Sequence, residues 1–187
     1  MNLQRLIYGL ALIAVLWLGH FIVQEPAPLP QKGSDGSLQL ADYRITPLEA
    51  FSLEARVLGR EDYHFDRGAA ISPTDLALGW GPMAESQVLE RIDISQSNRW
   101  YHWQARELPI PRREIETHSA NMHMIPANAA VAASLARVKA GQRIQFSGQL
   151  VRVEGQDGFI WNSSLSRDDT GAGACELIWV EQLIPLD

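Results

Sequence analysis

Eighteen consecutive residues near the start of the chain, Leu6 to Val23 (LIYGLALIAVLWLGHFIV), include no Asp, Glu, Lys or Arg. As a helix rising 1.5 Å per residue they cover roughly 27 Å, enough to cross the hydrocarbon core of a bilayer. A cleaved signal peptide has a shorter apolar run with a small-x-small site after it. The following VQEPAPLP offers no such site, so residues 1–23 read as a retained membrane anchor. His20 falls near the outer end of the span, where a polar ring reaches the interface. Arg5 and the α-amine precede the run, whereas Lys32 after it is accompanied by Glu25 and Asp35. That asymmetry predicts a cytoplasmic N-terminus and an external C-terminal part. In a bacterium this is a single-pass inner-membrane protein with its domain in the periplasm.

The anchor leaves a short connector and one domain. Residues 24–37 (QEPAPLPQKGSDGS) read as a linker, stiff in the Pro-rich half and flexible in the Gly/Ser half. Residues 38–187 then form one soluble unit of ordinary size. With 46% hydrophobic and 20% charged residues, the chain can bury a core. Its one cysteine, Cys175, cannot form an internal disulfide, so packing alone must hold the fold. Setting Arg5 aside from the 16 Lys and Arg leaves 15 against 22 Asp and Glu, a formal −7 for the part after the anchor. Such a domain lacks the basic field that supports nucleic-acid binding, apart from a local patch at Ile110–Glu114 (IPRRE).

Period and punctuation predict a β-rich unit. FSLEARVL (51–58) alternates apolar and polar residues, as a half-buried strand does. SPTDLALGW (72–80) reads as a short helix, with Ser72 as cap, Pro73 at the first position and Asp75 at the third. Leu89–Ile94 and Arg99–Gln104 read as strands around a turn at SQSN. ELPIPRREI (107–115) is too rich in proline for a regular element. NAAVAASLARVKAG (128–141) is the best helix. It has an Asn128 cap, a Val131/Leu135/Val138 stripe and a Gly141 stop. RIQFSGQLVRVEG, GFIWNSS and CELIWVEQL supply three further strands, and Gly148 is a candidate for a bulge or sharp bend.

About six strands around one central helix predict a mainly β, α+β domain, built as a small antiparallel barrel or sandwich. The element order and the glycine-bearing strand resemble an OB-fold. The motifs ALGWGPM, SNRWYHW, HSANMHMIPA and SSLSRDDTGAGACE, which span most of the soluble part, resemble an uncharacterised family of bacterial membrane-anchored proteins. That resemblance implies no activity.

Four groups of residues invite a chemical reading. His118 and His123 lie five apart, which is unsuited to one face of a helix and places them on opposite faces of a strand. With Met122 and Met124 beside them, zinc and copper come to mind, but no ligand spacing or Met repeat supports either. HSANMHMIPAN (118–128) reads instead as a packed connection, with Asn121 bonding to backbone and Ile125 buried. No metal or other cofactor is predicted. Cys175 with His118 or His123 is the candidate nucleophile–base pair, set against a lone cysteine as a small buried hydrophobe. Asn162–Gly173 is the longest polar loop, carrying Ser164, Arg167, Asp168 and Asp169 with Trp161 at its base. It reads either as a recognition surface or as a turn that satisfies its own hydrogen bonds. Any exposed Trp adds a stacking surface.

No phosphate loop, Ser–His–Asp motif or two-carboxylate glycosidase pattern is present. The expectation is therefore a membrane-anchored binding or assembly module that contacts a protein partner in the envelope. The alternatives are a small envelope hydrolase using Cys175 with a histidine, and an OB-like binder of nucleic acid or oligosaccharide.

Overall fold

A computed structural model describes residues 28–33, 37–166 and 174–186. The predicted anchor lies outside them, and among the described residues no helix is long and apolar enough to cross a membrane. The fold is mainly β. The strands are β1 (Gln31–Lys32), β2 (Leu38–Leu40), β3 (Tyr43–Asp62), β4 (Thr74–Gly79), β5 (Asp93–Ser97), β6 (Trp100–Gln104), β7 (Ser119–Pro126), β8 (Arg143–Gly155), β9 (Ile160–Asn162) and β10 (Glu176–Pro185). Three short helices join them: α1 (Ser86–Leu89), α2 (Arg112–Thr117) and α3 (Ala129–Leu135).

Eight strands form one sheet in the order β1-β2-β3-β4-β7-β10-β8-β9. A further pairing of β3 with β8, running from Tyr43↔Gly155 to Arg56↔Arg143, closes β3, β4, β7, β10 and β8 into a ring. The expectation of a wholly antiparallel sheet fails at one contact, because β10 runs parallel to β7. β1 belongs to the predicted linker, yet it pairs with β2. β5 and β6 form a separate two-stranded hairpin.

The ring interior is apolar. Leu76 and Leu78 of β4, Met122 and Met124 of β7, Ile144, Phe146 and Leu150 of β8, and Ile178 and Val180 of β10 meet there. Val131, Leu135 and Val138, the predicted stripe, pack on the same cluster from α3 and the turn after it. Asn128 caps that helix by accepting from the Ala130 and Val131 amides. Arg60 holds the far end, donating to the carbonyls of Leu135 and Val138. A second cluster, with Ile45, Val151, Val153 and Trp179, packs separately. The change of face between Leu150 and Val151 coincides with a bulge in β3 between Pro47 and Glu49. At Gly148 β10 comes so near β8 that a Cβ there would sit 1.8 Å from the Trp179 carbonyl oxygen.

Several local expectations are corrected. SPTDLALGW is a strand, not a helix. β4 lies between β3 and β7 with every residue buried, and this tertiary pairing overrides the local capping signal. Ser72 donates to the Thr74 and Met124 carbonyls instead of capping. The strand expected at Leu89–Ile94 begins only at Asp93, after α1. Arg112–Thr117 is helical directly after Pro111. HSANMHMIPAN is a central strand rather than a connection, since β7 pairs with β4 on one side and β10 on the other. Within it Ile125 is buried and Asn121 does donate to a backbone carbonyl, as expected.

Candidate functional site

β4 and β7 turn Leu76, Leu78, Met122 and Met124 into the ring, so the intervening side chains must point out of it. Asp75 and His123 are direct cross-strand partners on that outer face, as are Ala77 and Asn121. The β5–β6 hairpin covers them. Its loop is Asn98–Arg99, with φ of 52° and 69°. Positive φ at both positions marks a type I′ two-residue loop, in which glycine is the usual occupant of the second. Here an arginine occupies it, and its side chain is used. Nη1 donates to Asp75 Oδ1 (2.9 Å) and to the Ser72 carbonyl (2.8 Å). Nε and Nη2 donate to the two oxygens of Asp66, at 3.2 and 2.8 Å. The guanidinium lies 3.7 Å over the Tyr63 ring and 5.7 Å from the Trp161 ring. The Arg99 amide donates to the Tyr63 hydroxyl.

Asp75 has no exposed surface. A carboxylate so placed must be paired and hydrogen-bonded. It accepts from Arg99 and from Asn121 Nδ2 (3.1 Å), while Asn121 Oδ1 accepts from Gln96 Nε2 (2.8 Å). His123 is buried, with Nδ1 2.9 Å from Asp75 Oδ1. That distance suits an ion pair, but the direction does not make a hydrogen bond, so Nδ1 is a buried nitrogen without a hydrogen-bond partner. Hydrogen bonds weaken steeply off-axis, so the short distance alone does not satisfy the ring nitrogen. The other carboxylate, Asp66, also accepts from the Ala69 amide at the start of the 3₁₀ turn Arg67–Ala70. Burial works to raise the Asp66 carboxyl, but the Arg99 guanidinium and the turn amides outweigh it and hold it below the ordinary carboxylate range.

Beside this network lies a pocket of about 610 Å³, within the size range of small-ligand sites. Tyr63, Asp66, Arg67 and Gly68 form one wall, Asn98, Arg99 and Trp100 another, and Phe159, Ile160 and Trp161 a third; His123 and Cys175 also contribute. Trp100 and Ile160 remain exposed, and Phe65, next to Asp66, is fully so. Arg67 lies over the Phe159 ring at 4.2 Å and pairs with Asp157. The walls are thus aromatic, with each charge answered by an opposite one.

The structure brings together His123, Cys175 and Trp161, whose ring lies 4.7 Å from that of His123. It keeps His118 apart. That residue follows α2, with Nδ1 3.0 Å from the Glu114 carbonyl oxygen and its ring beside Trp80. Ser164 is buried, donating to the Ser166 carbonyl and accepting from the Ser166 amide. Arg167, Asp168 and Asp169 lie outside the described residues. Among the described residues no three His, Cys, Asp or Glu side chains converge as a metal site.

The sequence reading missed Asp75, Arg99, Tyr63 and Asp66 as site residues. Two signals for them exist: a lone acid at the head of the apolar run DLALG, and Asn-Arg where a hairpin loop favours Asn-Gly. No protein-family model matches the chain. No curated protein matches it either.

Proposed function

We propose that this chain is a membrane-anchored binding module of the bacterial envelope, with an OB-like domain in the periplasm that holds a protein partner at the aromatic pocket. The OB-like reading is supported by the five-stranded ring and by the helix between its third and fourth strands, β7 and β8. In OB-folds the second and third strands, with the loops after the first and fourth, carry the ligand. Those parts here are β4, β7, residues 63–73 and the segment after β8. The observation that carries the proposal is the pocket formed where they meet, around an Arg99 already locked in place. An ordered guanidinium among aromatic walls suits a protein interface, because few side chains must be immobilised on binding. The anchor expected at Leu6–Val23 supports the envelope location. The test is capture of partners from detergent-solubilised membranes, with Trp100→Ala beside the unaltered chain. The expected outcome is loss of a specific partner at an unchanged melting temperature. Equal capture by both chains would sink the proposal.

A cysteine hydrolase is the second reading, favoured by Cys175 and His123 sharing the pocket, with Asp75 2.9 Å behind His123. A histidine beside a thiol can take its proton. Alkylation of Cys175 by iodoacetamide at neutral pH, much faster than that of a free thiol and slowed in His123→Gln, supports this reading. An ordinary rate removes it.

A further inference from the structure

Three features of the pocket bear on the chemistry of its occupant. The first is charge. Arg99 has five N–H groups. Its bonds to Asp66, Asp75 and Ser72 use four, and among the described residues one Nη2 hydrogen is left for an acceptor. Two carboxylates already flank the guanidinium, so a phosphate or carboxylate arriving there meets more negative charge than positive. A neutral oxygen, such as an amide carbonyl, is the acceptor that fits. The second feature is the apolar rim of Trp100 and Ile160, the latter 54% exposed. The third is backbone. The Gly155 amide donates to the Phe159 carbonyl and the Ser163 amide to the Val151 carbonyl, which sets the phase of β9 against β8. With that phase the N–H and C=O of Ile160 point away from β8. β9 is the last strand of the sheet, and no described strand lies on that side.

A hydrocarbon chain would cover the rim and leave the Ile160 backbone and the last Arg99 hydrogen unmet. A nucleic acid would bring phosphates to a domain in which acidic residues already outnumber basic ones, 20 to 14. An extended peptide satisfies all three features, because it offers carbonyls, amides and alternating side chains together. We propose that the pocket takes an extended, uncharged peptide segment of the partner. One apolar side chain seats against Trp100 and Ile160, one backbone carbonyl accepts from Arg99 Nη2, and the peptide backbone pairs with Ile160. This rests on the binding-module reading and names the chemistry of its partner.

The test uses the full chain in detergent micelles, panned against a phage-displayed library of random decapeptides. The expected result is enrichment of sequences with an uncharged core around a Phe, Trp, Leu or Ile. Synthetic copies should lose about tenfold in affinity when a core amide is N-methylated, and similarly toward Ile160→Asp at an unchanged melting temperature. The N-methylated copies need no change in the protein, so they decide the matter even if the variant folds poorly. No enrichment over the Ile160→Asp chain, dominance of charged sequences, or N-methylated copies that bind equally well would each overturn the inference. If the library yields nothing while Trp100→Ala still abolishes partner capture, the binding module stands and the peptide falls. If capture is also unaffected, both fall.

Discussion

Arg99 ties the site together. Its backbone adopts a conformation that side chains other than glycine rarely take, and its guanidinium answers a carboxylate with no access to water. Removing it leaves Asp75 buried with, among the described residues, only Asn121 donating to it. Arg99→Ala should therefore destabilise the domain by about 3 kcal/mol, the scale for breaking a buried ion pair from one side. Chemical denaturation of the full chain measures this. Adding Asp75→Asn should recover part of the loss, since the orphaned charge goes with it. If the double variant is as unstable as the sum of the singles, the Arg99–Asp75 pair is not the source of the effect. Arg99→Gly separates two contributions. It relaxes the hairpin loop but loses the same pair, so it should fall between the single alanine variant and the unaltered chain.

At the scale of elements, β8 decides the geometry. It pairs with β3 along nearly its whole length and with β10 on its other side. Gly148 stands where the Trp179 carbonyl comes too near for any side chain. Gly148→Ala must push β10 away or twist β8 out of register, at a cost of about 3 kcal/mol. A thermal melt should show a marked loss of stability, and a near-neutral result would mean that β10 is not held against β8 in this way. Gly148 was legible as a special position because it interrupts an otherwise regular strand, but what it serves is the close approach of β10, whose own register shifts beside it between Val180 and Gln182. The α3 stripe and the β3 alternation were legible for the same reason: their periods match the surface each buries. β4 was not, since Ser72, Pro73 and Asp75 mimic a helix start, while their true partners are distant in sequence. The site was less legible than the fold. Cys175, His123 and Trp161 were singled out, but nothing local showed that Asp75 would face His123, because cross-strand register is a tertiary property.

For the whole molecule, the expected arrangement is a domain held close to a bilayer. The described chain starts at residue 28, and by Gln31 it is already paired with β2. If Leu6–Val23 spans the membrane, little free chain separates the span from the domain. A reporter that is active only outside the cytoplasm, fused to the C-terminus, should be active. Activity of a cytoplasm-only reporter at the same position would reverse the predicted orientation. With the span in place, so short a tether would limit what the pocket can reach to a partner in the same membrane or just above it.

The parallel contact between β7 and β10 has a consequence for how the protein is made. β10 leaves the ribosome after β7 and β8, yet its place is between them. Until it arrives, β7 and β8 each present an unpaired edge, and the ring has a gap on the side where His123 lies. The site therefore cannot mature in stages from the N-terminus. Until β10 emerges the nascent domain is an open sheet, and its two bare edges are of the kind that invite pairing with other chains.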